Sequence, residues 1–246
     1  MNHSVYLVLG ASSEVGMAFI KMLEQKNTEC VVIAQYHTMT EAFRAVLEYC
    51  KTVSVKSVSC DLADEAQTTQ LIENIKEIAV PTHILHCAAK PFEYKRLKET
   101  DWHQVMEGLN IQVGSVMNLC KAFLPLMAKK RYGKIVFMLS SCTIGIPPKY
   151  MTEYTIVKYA LLGFMKSIAC EYAGKGITIN GISPSMMRTK FLRSMDERMI
   201  DMLEEKHPMK RMITIEEVVK NIDFLLSDQS DFMTGENLNL SGGQVM

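Results

Sequence analysis

Short β-branched and apolar runs alternate along the chain with longer stretches whose apolar residues recur every three or four positions. Residues 5–10 have the composition of a buried strand. Residues 15–25 follow as a helix with Val15, Ala18, Phe19, Met22 and Leu23 on one face. Further strands fall at 30–34, 53–59, 83–87, 135–139, 177–182 and 237–240. Between them the pattern predicts helices over 41–49, 64–78 (Leu71, Ile75 and Ile78 inward), 101–129, 152–173, 191–205 and 215–226. Strands separated by helices of these lengths lie parallel and are joined by right-handed crossovers, which puts helices on both faces of the sheet. The expected fold is α/β, a doubly wound seven-stranded parallel sheet of Rossmann type. No Pro-, Gly- or Ser-rich linker interrupts the alternation, so residues 1–246 are expected to form a single domain.

Composition narrows the function classes. A chain of 246 residues, 48% hydrophobic and 22% charged, suits a soluble domain with a sizeable core. Its 27 basic and 27 acidic residues cancel, so no field gathers nucleic acid or an anionic membrane, and neither partner is expected. The apolar stretches are of strand length or carry charges, so no bilayer span is expected. The seven cysteines are scattered, with no C-x-x-C and no metal spacing. Their odd number and the lack of a signal peptide point to a reducing cytoplasm and to no metal site.

Two constellations carry chemistry. Gly10 and Gly16 bracket Ala-Ser-Ser-Glu-Val between the first strand and the first helix. Glycine there lets the backbone approach a pyrophosphate, and the helix N-terminus supplies N–H donors. On spacing alone a tight strand–helix turn has equal weight; the place after the first strand favours a dinucleotide. The second constellation is Tyr154 and Lys158, one helical turn apart on one face, with Ser141 thirteen residues upstream. A phenol beside a fixed ammonium, with a hydroxyl opposite, can protonate a ketone oxygen as hydride reaches the carbon. The ammonium is expected to lower the phenol from its ordinary pKa of about 10. At the end of the second strand, Gln35, Tyr36 and His37 offer no carboxylate to repel a ribose 2′-phosphate, which favours NADPH over NADH. His37 is either a phosphate partner or a solvated surface residue. Cys142 has no neighbouring base and is read as packing.

Over essentially its whole length the chain resembles the short-chain dehydrogenase/reductases, whose glycine motif is T-G-x-x-x-G-x-G. Leu9 replaces the Thr, and Glu14 replaces the middle glycine. Glu14 is expected to face solvent in the first turn, where the helix dipole favours a carboxylate. The resemblance implies that Ser12, Ser13 and Val15 contact the cofactor with the two glycines. It also implies that Asp61 accepts from the adenine amino group with Leu62 beside the ring. Cys87, Ala88 and Ala89, in His-Cys-Ala-Ala, stand where the family has Asn-Asn-Ala-Gly, with His86 holding strands together. Pro184, Met187 and Thr189 follow the sixth strand, and Thr189 matches the family's anchor for the nicotinamide carboxamide. Asn110 matches the family's fourth catalytic residue beside Ser141, Tyr154 and Lys158. Lys158 is further expected to hold the nicotinamide ribose.

The substrate is less sharply marked. Residues 186–211 correspond to the family's lid and contain Met186, Met195 and Met199. Such side chains adapt to a flexible apolar substrate, although a chain with 19 Met places them in ordinary cores as well. Arg131 and Lys175 close two helices, where cations are favoured in any case. The closest likeness is to 3-oxoacyl-[acyl-carrier-protein] reductases, in which basic residues at these positions receive the acidic carrier. The expected activity is therefore NADPH-dependent reduction of a β-ketoacyl thioester, carried on an acyl-carrier protein, in fatty-acid or polyketide assembly. A reductase of a free ketone, steroid or sugar is the alternative, and an idle dinucleotide-binding protein is a third reading. The two long helices are expected to pair across a two-fold axis in a homotetramer or homodimer, and Trp102 is expected to pack.

Overall fold

The computed structural model describes residues 4–27, 29–91, 93–192 and 195–245. Seven parallel strands make one sheet in the order β3-β2-β1-β4-β5-β6-β7. They are β1 (Ser4–Leu9), β2 (Cys30–Tyr36), β3 (Ser54–Ser59), β4 (His83–His86), β5 (Gly133–Met138), β6 (Ile177–Pro184) and β7 (Asn237–Leu240). The central strands are apolar without alternation because helices cover both faces. In β1, for example, Leu7, Val8 and Leu9 are all fully buried. One core packs Leu7, Leu9, Phe123, Phe137 and Met165, and the other packs Val8, Phe19, Ile33's neighbours Val32 and Ala34, and Val136.

The helices are α1 (Glu14–Gln25), α2 (Glu41–Tyr49), α3 (Glu65–Ile78), α4 (Trp102–Leu109), α5 (Ser115–Lys130), α6 (Thr152–Tyr172), α7 (Glu197–Lys206) and α8 (Ile215–Leu226). Polar side chains start several of them. Ser13 accepts from the Gly16 N–H on α1, Asp64 accepts from Ala66 and Gln67 on α3, and Thr214 with Glu217 forms a capping box on α8. The chain leaves β1 toward β3 and returns to β4 on the other side. The crevice at the carboxyl ends of β1 and β4 is therefore the switch point where such sheets bind ligands.

The departures from the sequence reading are local. The helix expected over 101–129 is interrupted by a π turn, Asn110–Gly114, between α4 and α5. The helix expected over 191–205 is a 3-10 turn at Lys190–Leu192 followed by α7, which Asp196 caps; residues 193 and 194 lie outside the described residues. Ile78, expected inward, ends α3 with 37% of its surface exposed, and Trp102 is 64% exposed rather than packed. The stretch Trp102–Lys130 is long and apolar enough by composition to cross a membrane, contrary to the expectation that none would be. Here its Val116, Leu119, Phe123 and Met127 are buried in the core against the sheet.

Candidate active site

A cavity of about 520 Å³ opens at the switch point. One wall is the strand–helix turn. Gly10 sits at φ +80°, and a Cβ there would come within 2.6 Å of the Ala88 backbone. That close approach draws β1 and β4 together beneath the turn. Ser12, Ser13, Glu14 and Val15 line the cavity above it. The first-turn N–H groups of a helix have no intrahelical acceptors. Ser13 Oγ accepts from Gly16, which leaves the amides of Glu14 and Val15 for an anion at a helix N-terminus. Cys87 and Ala89 continue the wall from β4, and Pro184, Met186, Met187 and Thr189 close it from β6. Neither Ala89 nor Ser185 has a positive φ, so replacing glycine at these positions strains nothing. These residues fit the nicotinamide half of a dinucleotide, which would supply hydride when bound.

In the outer half of the expected cofactor set, Gln35 is arranged differently. Gln35 is 2% exposed, and its side chain is spent inside the sheet. Its Oε1 accepts from the Gly10 N–H at 2.8 Å and its Nε2 donates to the Cys60 carbonyl at 2.7 Å. This corrects its expected place at the ribose: it braces the glycine turn. Tyr36 is half-buried against Phe43, and His37 is exposed. The Asp61 carboxylate accepts from the Ala63 N–H in its own loop at 2.9 Å, and Leu62 is buried in the core. Ala88 lies beneath Gly10 rather than in the cavity wall.

At the inner end, Tyr154 and Lys158 rise from the first two turns of α6 into the cavity. Lys158 is 2% exposed; its Nζ donates to the Met138 carbonyl at 2.8 Å and stands 5.6 Å from the Tyr154 ring centroid. Burial pushes Lys158 down to about 8. Burial also raises the Tyr154 phenol above its ordinary value, with the Cys142 thiol adding to the rise and a hydrogen bond from Ser140 opposing it. Burial, not the ammonium, thus sets the direction of the shift, and the phenol is held protonated, as an acid must be. The Cys142 thiol is buried and raised, as for a packing residue.

Two expected catalytic residues, Ser141 and Asn110, each have a polar neighbour at the site. Ser140, still extended at φ −165° and ψ 152°, accepts from the Cys142 N–H at 3.3 Å and lines the cavity with Tyr154. Ser141 begins the 3-10 turn that follows, lines the cavity, and makes no side-chain hydrogen bond among the described residues. Asn110 is exposed on the π turn, whereas Gln112 is 2% exposed. Two positions along a helix are about half a turn, so only one of the pair can face inward. Gln112 lines a smaller cavity with Tyr154, and its backbone carbonyl receives His86 Nε2 at 3.0 Å. His86 is 1% exposed and held down to about 3, first by burial and then by the charge of Lys158. Nothing in a single sequence marked Ser140 or Gln112 over its neighbour.

The expected substrate residues divide. Met186 lines the cavity, joined by Met17, Met138, Met151, Pro148 and Leu192, which the sequence reading had not singled out. Met195 packs beside Leu192, Ile200 and Met212, and Met199 is exposed on α7. Glu14, expected in solvent, is half-buried and accepts from the Lys190 N–H at 2.8 Å. Arg131, at φ +52°, donates to the Gly174 carbonyl at 3.4 Å, and the Lys175 ammonium lies 4.3 Å from the Tyr172 ring centroid. Both precede the starts of β5 and β6, at the edge of the sheet opposite the cavity. A strand of six residues, at about 3.3 Å each, separates them from Ser140.

Comparison with known proteins shows the family of the chain. The sequence model of the family described as "Enoyl-(Acyl carrier protein) reductase" matches residues 10–244. The 3-oxoacyl-[acyl-carrier-protein] reductase FabG of Escherichia coli (strain K12) is 27% identical over 245 residues, which cover 98% of this chain and 97% of that protein. The corresponding protein of Buchnera aphidicola subsp. Baizongia pistaciae is also 27% identical, with the same coverage. A solved structure of a 3-oxoacyl (acyl-carrier-protein) reductase from Agrobacterium tumefaciens C58 with NADP bound superposes with a TM-score of 0.86 at 25% identity, over 97% of this chain and 93% of that one. The chain belongs to the short-chain dehydrogenase/reductase family. Within it, the chain is an NAD(P)-dependent oxidoreductase of the ketoreductase kind.

Proposed function

We propose that the protein reduces the ketone of a β-ketoacyl thioester to the alcohol, with NADPH as hydride donor and an acyl-carrier protein as the carrier of the substrate. The observation that carries the reading is the Tyr154 phenol and Lys158 ammonium at the inner end of a cavity walled by methionines. The phenol gives its proton to the developing alkoxide and Ser140 orients the oxygen. Lys158 returns a proton to the phenolate, and Thr189 positions the nicotinamide. Adaptable, apolar Met17, Met138, Met151 and Met186 suit an acyl chain. The preference for NADPH is supported by the lack of any carboxylate at Gln35, Tyr36 and His37. The carrier is supported by the names of the relatives and by the basic Arg131 and Lys175. Because those two lie at the far edge of the sheet, they would serve the cavity of a neighbouring copy. Exposed Met106, Met117, Leu126, Ile156 and Tyr159 on α4, α5 and α6 leave apolar faces for that copy, in keeping with a homotetramer or homodimer. We read the whole chain as one catalytic unit with 186–211 over the substrate.

The test is NADPH oxidation with acetoacetyl thioester presented on carrier protein, on a short thiol, and as a free ketone. Turnover is expected to be highest on carrier. Equal rates on all three forms would remove the carrier, and turnover of a crotonyl thioester alone would move the reaction to the carbon–carbon double bond. Binding of cofactor without turnover of any of these would leave only a dinucleotide-binding protein.

A further inference from the structure

Glu14 and Lys190 are 176 residues apart in sequence, yet the carboxylate of one accepts the backbone N–H of the other at 2.8 Å. Each belongs to a different wall of the same cavity. Glu14 opens α1 beside Ser12, Ser13 and Val15; Lys190 begins the 3-10 turn directly after Met186, Met187 and Thr189. The bond is charge-assisted, and the N-terminal end of α1 favours the ionised carboxylate that makes it. A glycine at position 14, as in the resembled motif, could not form it.

We propose that Glu14 is a positioning residue that straps the turn at the start of α1 to the segment after β6, so that a dinucleotide entering or leaving the cavity must open the Glu14–Lys190 bond. The proposal rests on the reading of this cavity as the dinucleotide site. The strap holds Thr189 and Met186 in place before any ligand arrives, which preorganises the inner end of the cavity. Its cost falls on exchange: a phosphate reaching the first-turn amides of Glu14 and Val15 passes between the two walls that the strap joins. Both association and release are slowed, and affinity changes less than either rate. The carboxylate also places a negative charge beside the path of the phosphates.

The experiment compares wild type with Glu14→Ala and Glu14→Gln, the second keeping an oxygen acceptor without the charge. In the ligand-free proteins, the hydrogen exchange of the Lys190 amide is expected to quicken about threefold to tenfold in Glu14→Ala, the effect of losing one exposed charge-assisted bond, and by less in Glu14→Gln. In stopped-flow fluorescence, NADPH association and release are both expected to rise by a similar factor in Glu14→Ala, with Glu14→Gln between. An unchanged Lys190 amide in Glu14→Ala would overturn the strap. A faster amide with unchanged NADPH release would overturn its part in exchange. If wild type binds neither NADPH nor NADH, the dinucleotide reading fails and takes the exchange step with it, while the amide measurement still decides the strap.

Discussion

Ser140 and Ser141 stand side by side in the cavity wall near the Tyr154 phenol, and the Ser140 hydroxyl accepts from the Cys142 N–H at 3.3 Å. Both line the cavity, so a ketone could touch either. A Ser140 contribution opposes the burial-driven rise of the Tyr154 phenol, which favours Ser140 over Ser141 as the donor. Ser140→Ala is expected to lower kcat/KM by about a hundredfold or more, the size of losing a preorganised donor at a developing oxyanion. Ser141→Ala is expected to cost less than about tenfold. Steady-state kinetics on the two variants checks this, and the reverse order would restore Ser141 to the catalytic place.

Lys158 carries a sign that activity and stability read in opposite directions. With its pKa held at about 8 by burial, it is an ammonium below that pH and an amine above it. A group that must return a proton to Tyr154 fails as it deprotonates, so kcat/KM for reduction is expected to fall above about pH 8. Between about pH 8 and 10.5 the unfolded chain holds a proton here that the native chain has lost, so this residue's contribution to stability rises with pH through the same window. A pH–rate profile flat to pH 10 would contradict the assignment. Lys158→Met is expected to remove the step in the profile along with most of the rate.

The element order was legible because each element repeats its apolar positions with its own period. The Tyr154–Lys158 pair was legible because a four-residue spacing sets one helical face whatever surrounds it. The sequence says least where a single register decides. Ser140 and Ser141 differ only in which side of the strand-to-turn junction they occupy. Asn110 and Gln112 differ by half a helical turn, and the π turn that sets their facing has no sequence signal of its own. Gln35 escaped because β2 is covered on both faces, so alternation does not tell a cavity from a core. The Glu14–Lys190 contact joins residues that no local pattern relates.

Gln35 gives a stability prediction that separates bracing from cofactor choice. Its amide satisfies the Gly10 N–H and the Cys60 carbonyl inside the sheet. Gln35→Leu keeps the volume and leaves both backbone groups unpaired. The expected cost is about 2–4 kcal/mol, from two buried polar groups without partners. For a chain of this size that lowers Tm by roughly 5–15 °C. The ratio of NADPH to NADH affinity is expected to hold within about twofold of wild type. Calorimetry and cofactor titration check the pair; a stable variant with altered cofactor choice would put Gln35 back at the ribose.

His86 has only one tautomer open to it. Its Nε2 faces the Gln112 carbonyl oxygen, an acceptor, so Nε2 carries the proton. Nδ1 is then a bare lone pair, buried and without a partner among the described residues. A second proton would have to sit on Nδ1, where burial and the nearby Lys158 hold the ring's pKa at about 3. Below the unfolded value of about 6.5 the unfolded chain takes up a proton that the native chain refuses. Stability is therefore lost as pH falls from about 6.5 toward 3. His83, held at about 4 chiefly by burial, adds to the loss over a narrower window. In His86→Asn the side-chain amide can still donate to the Gln112 carbonyl, and no proton is refused. The variant is expected to be less stable than wild type at pH 7 and to recover about 1–3 kcal/mol of the difference at pH 4.5. His83 still keeps its acid limb from becoming flat. Urea unfolding at the two pH values measures this, and a difference between the proteins that does not change with pH would show that His86 is not held neutral in the fold.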